Sequence, residues 1–290
     1  MKYSLAPLTY CWDKASVFDY YQAMSETKID CVYLGEVICS RRRELKFNDY
    51  LELAHMLKAK GKQVFLSSMT LIESQSEITE LTRLVNNGEF AIEANDMAAV
   101  HLASQAKVPF VCGPAINLYN RSSIDLMHNL GMTRFVMPYE LSQKWLENVL
   151  RDNKPTFETE VFGYGYMPLA HSARCFTAKH HQQPKLDCKI VCQQYPKGLL
   201  TQTQESQPLL RLNGIQTQSA ARLNLIDQIP VMAQIGVDYW RLSPSSISDI
   251  ELINQITASD LTQLASIPPE NDTANECNGY WFSKPGMEIQ

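Results

Sequence analysis

The sequence predicts an α/β fold: a single parallel (β/α) barrel-like domain, TIM-barrel-like with room for distortion. Eight short β-prone runs, amphipathic helical patterns between most of them, and a spacing of about 20 to 30 residues imply repeated βαβ units. About eight such units close a barrel rather than an open sheet. At 290 residues and 45% hydrophobic content, the chain has material for one continuous core of that size.

The runs fall at residues 2–6, 31–34, 63–67, 90–94, 108–112, 134–137, 156–162 and 238–242. After the second, Phe47, Tyr50, Leu51, Ala54 and Leu57 lie at offsets 0, 3, 4, 7 and 10, the one-face pattern of a helix. After the third, Ser74 and Glu77 form a capping box ahead of Ile78, Leu81, Leu84 and Val85, and Gly88 closes the segment as a left-handed cap. Ser122 or Ser123 opens a helix that ends at Gly131, and Ser142 caps one carrying Trp145, Leu146, Val149 and Leu150. The rhythm then breaks. Residues 163–200 read as a Gln-, Lys- and Pro-bearing insertion, a further strand is expected around Pro208 to Leu212, and residues 267–290 read as a tail packing Tyr280, Trp281 and Phe282 on the barrel.

With 26 basic and 31 acidic residues the net charge is −5, and no basic block stands out, which argues against nucleic acid as the main partner. No run approaches the roughly 18 to 20 apolar residues of a membrane span, and the N-terminus has no leader-like apolar core. A soluble, unprocessed, cytoplasmic protein is expected. No H-E-x-x-H, G-x-S-x-G or Gly-rich phosphate loop is present, so none of those chemistries has a sequence warrant.

Eight cysteines are many for a chain in a reducing compartment, where disulfides are not the default explanation. Cys188 and Cys192 have three residues between them, so one helical turn or a tight loop could aim both thiolates at one centre, and Cys175 reaches in from upstream. A tetrahedral zinc or a 4Fe-4S cluster normally takes four ligands. Loops after parallel strands share one end of a barrel, which permits Cys39, Cys11 or Cys112 as the fourth, Cys39 being favoured by its place just past the run 31–34. Cys31 and Cys112 read as small core residues, and Cys277 has no assignment. His180 and His181 have metal-ligating side chains but read as solvated, and Arg41, Arg42 and Arg43 read as a solvated charged face more readily than as a site that attracts an anionic substrate or electron donor. Glu36, Asn117, Asn120 and Glu140 follow strand runs and so would face the active end, as substrate-binding candidates. Arg174, beside Cys175, has the guanidinium fork to bind a carboxylate or steady a reduced cluster.

Around the trio, Glu160, Phe162, Gly165, Ala170, Ser172, Arg174 and Cys175 resemble the motif E-x-F-x-x-G-A-L-C-x-A-x-S-G-R-C of the collagenase-like peptidase family of unassigned type. The sequence departs from it at Pro168, where most members carry cysteine, and at Ala173, where they carry glycine. One branch of the family has the same departure and works in oxygen-independent ubiquinone biosynthesis. Its members resemble this chain nearly end to end, through M-K-Y-S-L (1–5), Y-L-G-E (33–36), N-G-E-F (87–90), S-A-R-C-F-T-A (172–178), N-G-I-Q-T (213–217) and N-G-Y-W (278–281). The resemblance implies a barrel-like fold and a 4Fe-4S cluster on Cys39, Cys175, Cys188 and Cys192. It also implies a heterodimer with a UbiU-like protein, a lipid-binding UbiT-like accessory protein, and hydroxylation of ubiquinone-precursor rings under anaerobic conditions with prephenate as oxygen donor. The rival classes are a peptidase or hydrolase, which the family name suggests, and a structural zinc-binding scaffold.

Overall fold

The computed structural model describes residues 1–151, 156–258 and 275–290. In chain order the elements are β1 (Lys2–Leu5), α1 (Lys14–Ser25), β2 (Cys31–Leu34), α2 (Phe47–Ala59), β3 (Gln63–Ser67), α3 (Gln75–Val85), β4 (Ile92–Ala94), α4 (Met97–Ala106) and β5 (Phe110–Cys112). There follow α5 (Arg121–Asn129), β6 (Met132–Val136), α6 (Gln143–Leu150), β7 (Glu158–His171), α7 (Phe176–His180), β8 (Leu199–Gln202) and β9 (Pro208–Asn213). The chain continues through β10 (Gln216–Asn224), α8 (Ile229–Gln234), β11 (Tyr239–Leu242), α9 (Asp249–Thr257) and β12 (Glu276–Cys277). Strands β1 to β7 pair side by side in sequence order, all parallel, and β11 pairs with both β1 and β7. The expected TIM-barrel-like closure is therefore present, and its strands are the eight runs read from the sequence.

Local chemistry accounts for the helices. Ser74 Oγ accepts from the Glu77 amide and Glu77 Oε2 accepts from the Ser74 amide, the reciprocal capping box that starts α3. Gly88 is left-handed at φ +80, but α3 already ends at Val85 with Asn86 as its cap. Asn120, not Ser122 or Ser123, opens α5: its side chain accepts from the Ser123 amide at 2.9 Å, and both serines lie inside the helix. Asparagine caps as well as serine does, so the first good acceptor in the segment sets the boundary.

The larger departure is β7. It was expected over 156–162 only, yet it runs to His171, and its far half leaves the barrel to pair antiparallel with β10, which pairs in turn with β9 and β9 with β8. The expected strand around Pro208 to Leu212 is β9, in this extension rather than in the barrel wall. Glycines concealed the strand. A Cβ at Gly163 would lie 1.8 Å from Trp240 Nε1, so only glycine lets β7 pass over that indole. Within the tail, residues 267–274 lie outside the described residues; beyond them, β12 pairs with β10, Cys277 is fully buried, and Trp281 is buried with its indole donating to Gln228 Oε1.

Helices pack on the outer face of the barrel over a large apolar core, while Cys31, Tyr33, Phe65, Val111, Val136 and Tyr239 form a separate cluster. Beside that cluster lies a charged layer. Glu160 Oε2 accepts from Tyr33 Oη at 2.6 Å and from Arg134 Nη1 at 3.1 Å; its Oε1 accepts from Ser4 Oγ at 2.8 Å and from Arg241 Nη1 at 3.0 Å. Arg241 Nη2 reaches Glu93 at 2.6 Å, and Arg134 Nη2 reaches Glu158 at 2.8 Å. Ions this deep are stable only when paired, and here each carboxylate and guanidinium has an ionic partner, although Arg241 Nε is buried without a hydrogen-bond acceptor among the described residues. No described helix is long and apolar enough to cross a membrane.

Candidate functional site

Loops that follow the strands of a parallel barrel leave from one end. The turn after β2 is folded by Glu36, whose Oε1 accepts from the amides of Ile38 at 2.8 Å and Cys39 at 3.0 Å. The amide and hydroxyl of Thr70, after β3, both donate to the Val37 carbonyl. Cys175 is the N-cap of α7, and its Sγ accepts from the Ala178 amide at 3.4 Å. The tip of the β9–β10 hairpin holds α7 in place: the Ser172 amide donates to the Ile215 carbonyl, the Phe176 amide to the Gly214 carbonyl, and the Gly214 amide to Thr177 Oγ1. Cys39 and Cys175 thus pack against one apolar patch of Val37, Ile38 and Ile215.

Cys188 is buried, and Cys192 lies in the short turn Val191–Gln194. Lys189 and Ile190 between them are both left-handed, at φ 46 and φ 53. That conformation is costly for a β-branched residue and marks a segment constrained by its surroundings. Cys175 interacts with the thiols of Cys192 and Cys188, and Cys39 with that of Cys175. Burial raises the pKa of Cys39 and of Cys175. At Cys192 the neighbouring Cys11 thiol, and then the Arg42 cation, favour the thiolate over the opposition of burial, so this pKa falls while that of Cys11 rises. The Cys11–Cys192 pair gives up its first proton readily and its second with difficulty.

Two residues join the site beyond the four cysteines that the resemblance implied. Cys11 was one of three topological options for a fourth ligand and here adjoins Cys192. Arg42, expected on a solvated face, is buried with 3% of its side chain exposed, so that expectation is corrected. Its burial comes from acceptors distant in sequence, the Thr9 carbonyl and Asn213 Oδ1, which a run of three arginines does not reveal. Arg43 is exposed, as expected.

The remaining candidates divide. Glu36 belongs to the site, 3.9 Å from Arg42 Nη1, with burial raising its pKa against the pull of that cation. Arg174 is exposed next to Cys175. Asn120 is committed to capping α5, Asn117 is exposed and left-handed, and Glu140 is exposed and accepts from the Tyr119 hydroxyl. His181 is engaged with the Tyr195 hydroxyl at 2.9 Å. Cys31 accepts from Arg134 in the barrel interior, and Cys112 is fully buried in β5, so neither joins the group. A cleft of about 740 Å³ opens beside the site, lined in part by Cys11, Trp12, Tyr20, Gln193, Lys197 and Ser245, with the Trp12 indole donating to the Pro196 carbonyl.

The donor set is all thiol, which suits zinc or an iron-sulfur cluster. All these cysteines are free, and among the described residues no three His, Cys, Asp or Glu side chains stand close enough to hold a single ion. Arg42 Nε is buried with no partner among the described residues.

Residues 17–258 match peptidase family U32. tRNA hydroxylation protein P of Escherichia coli (strain K12) is 28% identical over 154 residues, covering 50% of this chain and 34% of that protein, so the match spans about a third of the relative's length. Among solved structures, the U32 peptidase Mk0906 aligns with a TM-score of 0.48 at 11% identity, covering 85% of this chain and 94% of that one. A glycerol uptake operon antiterminator-related protein from Thermotoga maritima aligns with a TM-score of 0.32 at 19% identity, covering 56% of this chain and 83% of that one.

Proposed function

Because the chain belongs to peptidase family U32, we propose that it does the work of one branch of that family, UbiV: the iron-sulfur subunit of an oxygen-independent hydroxylase pair acting on ubiquinone-precursor rings. In this reading Cys39, Cys175, Cys188 and Cys192 hold a 4Fe-4S cluster, a UbiU-like protein completes a heterodimer, and prephenate is the oxygen donor. A UbiT-like lipid-binding protein presents the greasy precursor in the cytoplasm.

The observation that carries the reading is the approach of Cys39, from the barrel proper, to Cys175 of the insertion on one patch of Val37, Ile38 and Ile215. The all-thiol donor set supports it too, as does the name of the E. coli relative, which lends the reaction type. When bound, a cluster of this kind supplies one-electron chemistry. The chain's own residues do the rest. The Ala178 amide donates to Cys175 Sγ, Glu36 fixes the turn that presents Cys39, and the cleft beside Cys11 and Trp12 gives a small reactant access to the site. No catalytic side chain is assigned.

Deletion of the gene tests the role. Ubiquinone should disappear from cultures grown without oxygen and persist in aerated ones, and each of the four Cys→Ala variants should fail to restore it. Equal loss in both conditions, or full rescue by a cluster-free variant, would refute the role.

A further inference from the structure

The guanidinium of Arg42 is held in place by neutral groups. Nη1 donates to the Thr9 carbonyl at 2.6 Å and Nη2 to Asn213 Oδ1 at 2.7 Å, while Asn213 Nδ2 itself donates to Thr9 O at 2.7 Å and to Gln216 Oε1 at 3.1 Å. A Cβ at Gly214 would come within 3.1 Å of Nη2, so the hairpin tip closes directly over the charge. The nearest carboxylate, Glu36, is 3.9 Å away, and the same oxygen already accepts from two backbone amides. Nε has no partner among the described residues. A buried cation is costly unless compensated, and the long 3.9 Å pair with Glu36 leaves room for other anions to share that compensation. The groups that face Arg42 besides Glu36 are Cys192, Cys11 and Cys39.

We propose that Arg42 is a positioning residue whose fixed charge neutralises the cysteine centre and sets its reduction potential. The inference rests on the cluster reading above. A cluster with four thiolate ligands is anionic in both oxidation states and gains a further negative charge on reduction. A cation locked beside it therefore stabilises the reduced form and raises the potential. The locked geometry matters: Arg42 is too buried for solvent or salt to screen it and too constrained to swing away.

The test uses full-length wild-type protein, R42K and R42Q, purified without oxygen. Iron and acid-labile sulfide are counted, and the clusters are titrated with reductant while the reduced form is followed by electron paramagnetic resonance. Expected is an equal iron content in all three, a tenfold or larger fall in the reduced-to-oxidised ratio of R42Q at fixed potential, about 59 mV for one electron, and near wild-type behaviour in R42K. Iron-loaded R42Q with an unmoved potential would overturn the proposal alone, as would R42K shifting as far as R42Q. If R42Q takes up no iron, a loaded R42K with wild-type potential supports the need for charge, and an empty R42K overturns it. Wild-type protein without iron and sulfide would overturn the cluster reading and this proposal together.

Discussion

Glu160 belongs to the family-like motif and also holds two buried arginines, Arg134 and Arg241, inside the barrel. Removing its charge in Glu160→Gln leaves both cations short of an anion and should cost about 3–5 kcal/mol in urea unfolding; a loss near zero would mean that Glu93 and Glu158 suffice. Burial opposes its ionisation, but Arg241 and Arg134 outweigh burial and hold the carboxyl below its ordinary range. Its contribution is therefore complete above the unfolded value near ~4.3 and disappears as pH falls through the folded value. His171 adds an earlier acid sensitivity. Burial lowers its pKa to about 4, so below the unfolded value of ~6.5 the unfolded chain binds a proton that the folded chain refuses. Stability of the metal-free protein should fall from pH ~6.5 towards 4, and His171→Gln should flatten that slope; parallel profiles for the two proteins would contradict this. Burial of Cys31 was legible because its run reads as a strand. Burial of Arg42 was not, because its acceptors come from residues 9 and 213 and no local pattern links them.

Helix periods and caps were legible because they are local, and the errors arose where two local signals competed. Asn120→Ala should cost about 1 kcal/mol and Ser122→Ala close to nothing, read from urea midpoints; the reverse ranking would restore the serine cap. The β9–β10 hairpin is the element most closely tied to the site. Its two-residue turn, Gly214 and Ile215, begins with a left-handed glycine at φ +66, and that glycine faces Arg42. Gly214→Ala combines left-handed strain with a close approach to the guanidinium, and should destabilise the protein by about 1–2 kcal/mol. Wild-type stability in that variant would mean that the tip moves freely. The far half of β7 escaped the sequence reading because Gly163 and Gly165 depress strand propensity, although a tight passage over Trp240 requires the first of them.

Across the molecule, eight parallel strands were readable from spacing because a barrel repeats one unit, whereas the antiparallel β7–β10–β9–β8 extension follows no repeat. The centre was legible in part. Spacing singled out Cys175, Cys188 and Cys192, topology left three choices for the fourth thiol, and the family resemblance named Cys39; the structure then brings Cys39 to Cys175 and adds Cys11 and Arg42. Alanine variants should separate the cysteines by role. Iron should fall sharply for Cys39, Cys175, Cys188 and Cys192 and stay near wild type for Cys31 and Cys112, and an unchanged Cys39→Ala protein would move the fourth position to another thiol, with Cys11 the neighbour at hand. The most direct measurement is iron, zinc and acid-labile sulfide per chain in protein purified without oxygen. Four irons and four sulfides per chain, with broad absorption near 400 nm, is the expected result; one zinc and no sulfide, or no metal at all, would contradict it.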